Sequence, residues 1–282
     1  MTEPRRNHPD VVHGIDALGR EHGRLFVVVG VFDGLHLGHL YLLRHLQAAA
    51  ASHAARSAVI TFDHHPDEIL IGAAPPLLCD PEERLDLLAG AGVAVTVVQT
   101  FDSALRMTSY DAFIRRIADR VDLAGFLMTP DAAFGHERRG TAESVADLGR
   151  SLGYDVVVVP PMQLAGRPVR SAEIRAAIEA GNIDAASTML GRPYAVAGFA
   201  DRADGRGQVV HFPMPVALPP AGEYPVAVQP SAGGPAVSGE FTAVVRPDGT
   251  IELPTDAVNP APNRIRVTFR GRGPSPMAMD GD

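Results

Sequence analysis

The chain has 282 residues, 46% of them hydrophobic, and a formal net charge of −8. That length and composition suit a globular protein with one sizeable core or two smaller ones. The acidic balance argues against a general nucleic-acid or anionic-membrane binder, and no apolar run is long enough to span a bilayer.

The first part alternates two kinds of segment. Strand-like apolar runs fall at 25–29, 57–62, 94–99, 125–128 and 155–159. Helix-like runs fill the intervals at 38–51, 81–89, 109–119, 142–152 and 171–180, with a further one at 183–190. Asp80 and Pro81 suit the start of the 81–89 helix as cap and first-turn residue. Alternating β and α segments with short links predict a parallel sheet with right-handed crossovers. Ligand sites in such sheets lie beyond the carboxyl ends of the strands. After Gly191-Arg192-Pro193 the texture changes, with frequent Gly and Pro and short apolar runs at 209–212, 224–228, 241–245 and 264–269. These predict a small antiparallel β unit with a barrel-like form. Residues 229–238 read as a loop and 273–282 as a disordered tail. Domain boundaries are therefore expected at 1–190, 191–272 and 273–282.

All 25 basic residues are arginine. Without lysine there is no Walker-type phosphate loop, no protein-kinase site and no Schiff-base chemistry. Phosphate handling falls to His, Arg, Ser and backbone groups. Cys79 is the sole cysteine, so no internal disulfide forms. Residues 1–7 lack the apolar segment of a secretory leader, and a cytoplasmic setting is the expectation.

The richest stretch runs Gly30-Val31-Phe32-Asp33-Gly34-Leu35-His36-Leu37-Gly38-His39. It lies where an apolar strand hands over to a helix N-terminus, whose free N–H groups and dipole favour a phosphate. His36 and His39 could donate there to triphosphate oxygens, and Gly38 admits a ligand close to the backbone. Asp33 either helps to hold Mg²⁺ or bonds to N–H groups of its own turn. Thr61-Phe62-Asp63-His64-His65-Pro66 follows the next strand and could shape an acceptor pocket. Phe134 to Gly140 is expected to be a mobile loop with glycines at both ends and two arginines facing phosphate. Ser171 and Arg175 open a later helix on one face and form a second anion-binding pattern.

Four of these segments, GVFDGLHLGHLYLL, ITFDHHP, FGHERRG and SAEIRAAI, stand in the same order as motifs of the bacterial FAD synthetases, followed by GRPY at 191–194. The chain resembles that family, a branch of the HxGH nucleotidyltransferase superfamily, from about residue 25 to 194. The resemblance implies a Rossmann-like α/β nucleotidyltransferase domain with a parallel sheet, then a riboflavin kinase-like β-barrel. It implies transfer of AMP from Mg·ATP to FMN, giving FAD and pyrophosphate without a covalent enzyme intermediate. By position it implies nucleotide-binding roles for Gly30, Phe32, Asp33, Gly34, His36 and Gly38, and for His39, Asp131, Ser171 and Arg175. His36, His39 and Arg175 would be catalytic. Phe62, Asp63, His65, Pro66 and Phe134 would contact the flavin, and Asp33 is the candidate Mg²⁺ ligand.

The chain departs from the family pattern at several points. His64 replaces the first proline of FDPHP, Ala132 replaces an aromatic, and Arg170 and Ala172 replace two hydroxyl residues of SSTxIR. Loss of one useful donor can cost ~100-fold in rate. In the second part, Gly198, Gly207, Phe212, Pro213, Gly222 and Tyr224 fall where the kinase motifs expect them. Met214 and Val216, however, stand in place of the Mg·ATP-serving threonine and asparagine. The expectation is an FMN adenylyltransferase without riboflavin kinase activity, acting on small molecules. The alternatives are a nucleotidyltransferase with another acceptor and a catalytically silent flavin- or nucleotide-binding paralogue.

Overall fold

The computed structural model of the chain describes residues 10–203, 207–230, 239–254, 257 and 264–271. Of the expected loop over 229–238, residues 229 and 230 instead end a strand (Gly222–Pro230), and 231–238, like the expected tail over 273–282, lie outside the described residues. The chain forms two units, one from Met1–Pro75 and Pro81–Pro168, the other from Pro76–Asp80 and Val169–Asp282.

The first unit opens with β1 (Asp10–His13) and β2 (Arg24–Val29), followed by α1 (Leu37–Ser52) and β3 (Arg56–Phe62). Helices α2 (Pro66–Leu70) and α3 (Pro81–Gly90) lead to β4 (Val95–Gln99). Next come α4 (Ser103–Arg106), α5 (Tyr110–Ala118) and β5 (Asp122–Met128). A hairpin of β6 (Ala133–Phe134) and β7 (Gly140–Thr141) precedes α6 (Ala142–Leu152) and β8 (Asp155–Val158). A second small hairpin, β9 (Gln163–Leu164) and β10 (Arg167–Pro168), closes the unit.

Six strands form one parallel sheet in the order β1-β4-β3-β2-β5-β8. The period-2 alternation of β2 divides its side chains between two cores. Leu25 and Val27 join one with Ile114 and Ile117 of α5 and Val145 of α6. Phe26 and Val28 join the other with Leu43 and Leu46 of α1 and Leu88 of α3. Helices therefore cover both faces, which explains the continuous apolar strands. The chain grows from β2 toward β3 and β4 on one side and then returns to β5 on the other. The switch point lies between β2 and β5, where such folds bind ligands.

The second unit contains α7 (Ser171–Glu179), α8 (Ile183–Leu190) and six strands: β11 (Ala195–Ala203), β12 (Gly207–His211), β13 (Gly222–Pro230), β14 (Phe241–Val245), β15 (Ile251–Leu253) and β16 (Arg264–Phe269). The strands close an antiparallel barrel in the order β11-β12-β15-β14-β13-β16, and β11 pairs back to β16. The Tyr194 and Phe269 rings stack at 5.8 Å in its core. Helices α7 and α8 turn Ile174, Ile178, Ile183 and Leu190 into the same core as Val226 and Val267 of the barrel. The packing division therefore runs at Pro168/Val169, whereas the sequence reading placed the boundary after residue 190. Two amphipathic helices with short links look alike whichever core they cover, so the periodicity could not assign them.

Candidate active site

The turn after β2 is held in sparsely populated backbone geometry. Phe32 adopts φ 54° and Leu35 φ 34°, both left-handed, and Gly34 adopts φ 73°. Such strain gathers at functional sites because the surrounding fold must over-determine it. Here Gly30 N–H donates to Ile60 O at 3.0 Å, and the Thr61 hydroxyl donates to Val31 O at 2.9 Å.

His36 is the extended N-cap of α1, and its Nδ1 accepts the His39 backbone N–H at 3.3 Å. An accepting Nδ1 puts the ring proton of neutral His36 on Nε2. The two imidazoles stack, with centroids 3.7 Å apart and planes inclined by 18°. Phe32 closes on His39 with ring centroids 5.0 Å apart. His39 Nδ1 is buried and makes no hydrogen bond. Burial first, and the neighbouring His36 second, hold His39 well below the usual imidazole value of 6.5. His39 is thus neutral at pH 7 in the free protein, although an arriving phosphate would favour its charged form.

Asp33 is 2% exposed inside the 3₁₀ turn Asp33–Leu35. Among the described residues no cluster of three or more His, Cys, Asp or Glu side chains could hold a metal.

Beside this turn lies a largely apolar cavity of about 600 Å³ whose wall includes Gly30 and Val31. Phe62 and Phe101 meet edge to face at 5.3 Å, and Phe113 packs on Phe134 at 5.6 Å. All four rings line the cavity, as do His65 and Pro66. Arg106, His136 and Arg138 supply its polar rim. Of the expected flavin residues, Phe62, His65, Pro66 and Phe134 thus converge on one space. Asp63 does not. Its Oδ1 accepts the N–H groups of His64 at 2.8 Å and Phe101 at 3.1 Å. Burial pushes its carboxyl up, but hydrogen bonds from Thr100, Phe101 and His64 outweigh that and hold it below the usual range. His65 has a second duty, since its Nδ1 accepts Asp67 N–H and caps α2.

The segment from Phe134 to Gly140, where the sequence suggested a mobile loop, packs closely at its two glycines. A Cβ on Gly135, at φ 76°, would sit 2.5 Å from Tyr110 N, and one on Gly140 2.6 Å from Tyr110 Cβ. These glycines serve close approach to the start of α5. His136 N–H donates to Thr108 O at 2.8 Å, and Arg139 pairs with Glu137 at 2.7 Å. Asp131 is exposed beyond β5, where its Oδ1 accepts the Thr129 hydroxyl at 2.8 Å. Asp131 is outside the cavity wall, whereas its neighbour Ala132 is part of it. Ser171 and Arg175 belong to the second unit, where Arg175 Nε donates to Pro76 O at 2.7 Å.

Sequence reasoning missed Arg84. It is 5% exposed and donates from Nη1 to Val31 O at 3.1 Å and from Nη2 to Phe62 O at 2.6 Å. The available signal was an arginine one turn before Leu88 on the buried face of α3.

Residues 19–173, more than half of the chain, match the family profile described as FAD synthetase. The chain is 29% identical over 189 residues to the bifunctional riboflavin kinase/FMN adenylyltransferase of Pseudomonas fluorescens, an alignment covering 67% of this chain and 61% of that protein. It is 30% identical over 193 residues to the Listeria monocytogenes protein of the same name, covering 66% of this chain and 60% of that one. The chain thus spans about six tenths of the length of these two relatives. In three dimensions it is similar to a macrolide-efflux protein from Streptococcus pneumoniae, with a TM-score of 0.80 at 23% identity, covering 97% of this chain and 93% of that one; the likeness is one of fold. The family match over residues 19–173 takes in both the stacked histidines and the aromatic cavity, and the chain belongs to the FAD synthetase family.

Proposed function

We propose that the chain is an FMN adenylyltransferase, joining AMP from Mg·ATP to FMN. One observation carries the reading: the largely apolar, aromatic-lined cavity shares Gly30 and Val31 with the turn that presents His36 and His39. An acceptor phosphate at the mouth of that cavity would meet a triphosphate at the α1 N-terminus. In the reaction an FMN phosphate oxygen forms a bond to the α-phosphorus of ATP. The bond from that phosphorus to the bridging oxygen breaks, and pyrophosphate carries away the electron pair. The protein's part is to position the two phosphates and stabilise the growing charge. The α1 dipole and N–H donation from the two histidines supply this charge stabilisation. Asp131, Ser171 and Arg175 enter as nucleotide residues on their motif alone.

The test is incubation of the purified chain with ATP, Mg²⁺ and FMN. FAD and pyrophosphate should form in equal amounts. An absence of both with folded protein would remove the reading. A second acceptor remains in play because Ala132 leaves the cavity wall small at that point. FAD formation far slower than AMP transfer to another phosphate acceptor would favour it.

Riboflavin kinase activity is not expected. The side chains of Met214 and Val216 offer no hard oxygen donor for Mg²⁺. The stretch they occupy is tied to Leu77, whose N–H donates to Pro215 O and whose carbonyl accepts Ala217 N–H, each at 2.8 Å. Riboflavin and Mg·ATP should yield no FMN, and FMN accumulating at an ordinary enzymatic rate would contradict this.

A further inference from the structure

Burying a guanidinium is costly unless its donors are met, and an apolar side chain would fill the same space more cheaply. Arg84 nonetheless sits on the buried face of α3 beside Leu88. Its planar fork is divided between two backbone carbonyls, Val31 O and Phe62 O. One of these carbonyls lies just beyond β2 and the other ends β3. Val31 follows β2 and opens the strained turn that carries His36 and His39. Phe62 is the last residue of β3 and lines the aromatic cavity. The Thr61 hydroxyl donates to the same Val31 carbonyl, so that oxygen is held from two sides. A rigid fork fixes the spacing between its acceptors better than a flexible ammonium does.

We propose that Arg84 is a positioning residue, its guanidinium locking the histidine turn to the rim of the acceptor cavity so that the two phosphates meet in line. The proposal rests on the adenylyltransferase reading for its kinetic consequence but not for its structural one. Arg84 touches no substrate in this scheme. It acts through Val31 and Phe62, and a misplacement on the scale of 1 Å is enough to cost ~100-fold in rate.

The test compares the full-length wild type with R84M, R84K and T61V in two measurements. The first is kcat and KM for ATP and FMN. The second is the imidazole ¹⁵N–¹H spectrum of His36 and His39 without substrates. Folded R84M should lose about 10- to 100-fold in kcat while both KM values move less than about threefold. Its His36 and His39 ring signals should shift while those of the distant His53 stay put. R84K should recover part of kcat, because an ammonium can still reach one carbonyl. Folded R84M with wild-type ring signals and wild-type kcat overturns the proposal. If R84M does not fold, T61V decides, since it removes one donor from the same Val31 carbonyl. It should shift the same ring signals with a smaller loss of kcat, and unchanged signals overturn the proposal. A wild-type chain that makes no FAD removes the adenylyltransferase reading, and the ring spectra then decide Arg84 by themselves.

Discussion

The imidazole of His36 lies face to face with that of His39 at 3.7 Å, while its Nδ1 accepts the backbone N–H of that same residue. One side chain thus caps the helix and walls in its partner. The partner is kept neutral by burial and by the proximity of a second ring that could also carry charge.

Replacing His39 with alanine should lower AMP transfer by about 100-fold or more, because in the proposed mechanism the ring would act on charge that develops in the transition state. The fold should survive, since the N-cap bond uses the backbone N–H of residue 39 and the side chain of His36. Turnover by the variant at the wild-type rate would take His39 out of the mechanism.

His39 also makes a signed prediction about stability. Its folded value lies below the unfolded value of 6.5, so the unfolded chain binds the proton first. The contribution of the neutral buried ring is complete above pH 6.5 and shrinks as the pH falls below it. Urea midpoints of wild type and His39→Gln, measured from pH 7.5 down to about 5, should converge in the acid range. Parallel curves would show that His39 is not the group responsible.

Gly135→Ala should strain the segment that forms one wall of the cavity. The residue holds φ 76°, and the new Cβ would meet Tyr110 N at 2.5 Å. Strain of about 1–3 kcal/mol is expected. Titration should show weaker FMN binding with ATP binding nearly unchanged, and equal weakening of both ligands would contradict the assignment of this wall to the acceptor.

Tyr154 tests the core away from the site. Its hydroxyl donates to Val145 O at 2.7 Å, and burial pushes the phenol up to about 12. Tyr154→Phe should cost about 0.5–1.5 kcal/mol in chemical denaturation and leave kcat alone. A kcat change comparable to that of a His39 variant would mean that the α6 face communicates with the site.

The histidine turn was legible because its logic is local: an apolar strand, a turn with three glycines and two histidines, and a helix follow one another directly. Strand β1 was missed because four residues, Asp-Val-Val-His, carry too little alternation to register. Strand β11 was missed because Ala, Gly and Asp dilute its β-propensity, and its pairing to β16 is what holds it. The cavity was visible only in pieces. Phe62 and Phe134 stood out in their motifs, but Phe101 and Phe113 reach the same space from segments with no motif at all. Arg84 was hidden because a charged residue in a helix reads as solvated until its neighbours on that face are known.

The closed barrel has a consequence for assembly. Each of its six strands already has two ladder neighbours, so among the described residues the barrel itself has no open strand edge for a further strand to extend. The sheet of the first unit is different, for β1 and β8 each pair on one side only. Both edges are four residues long. Among the described residues, a second chain that extends the parallel sheet by strand addition would seat an extended segment against one of these two short rims.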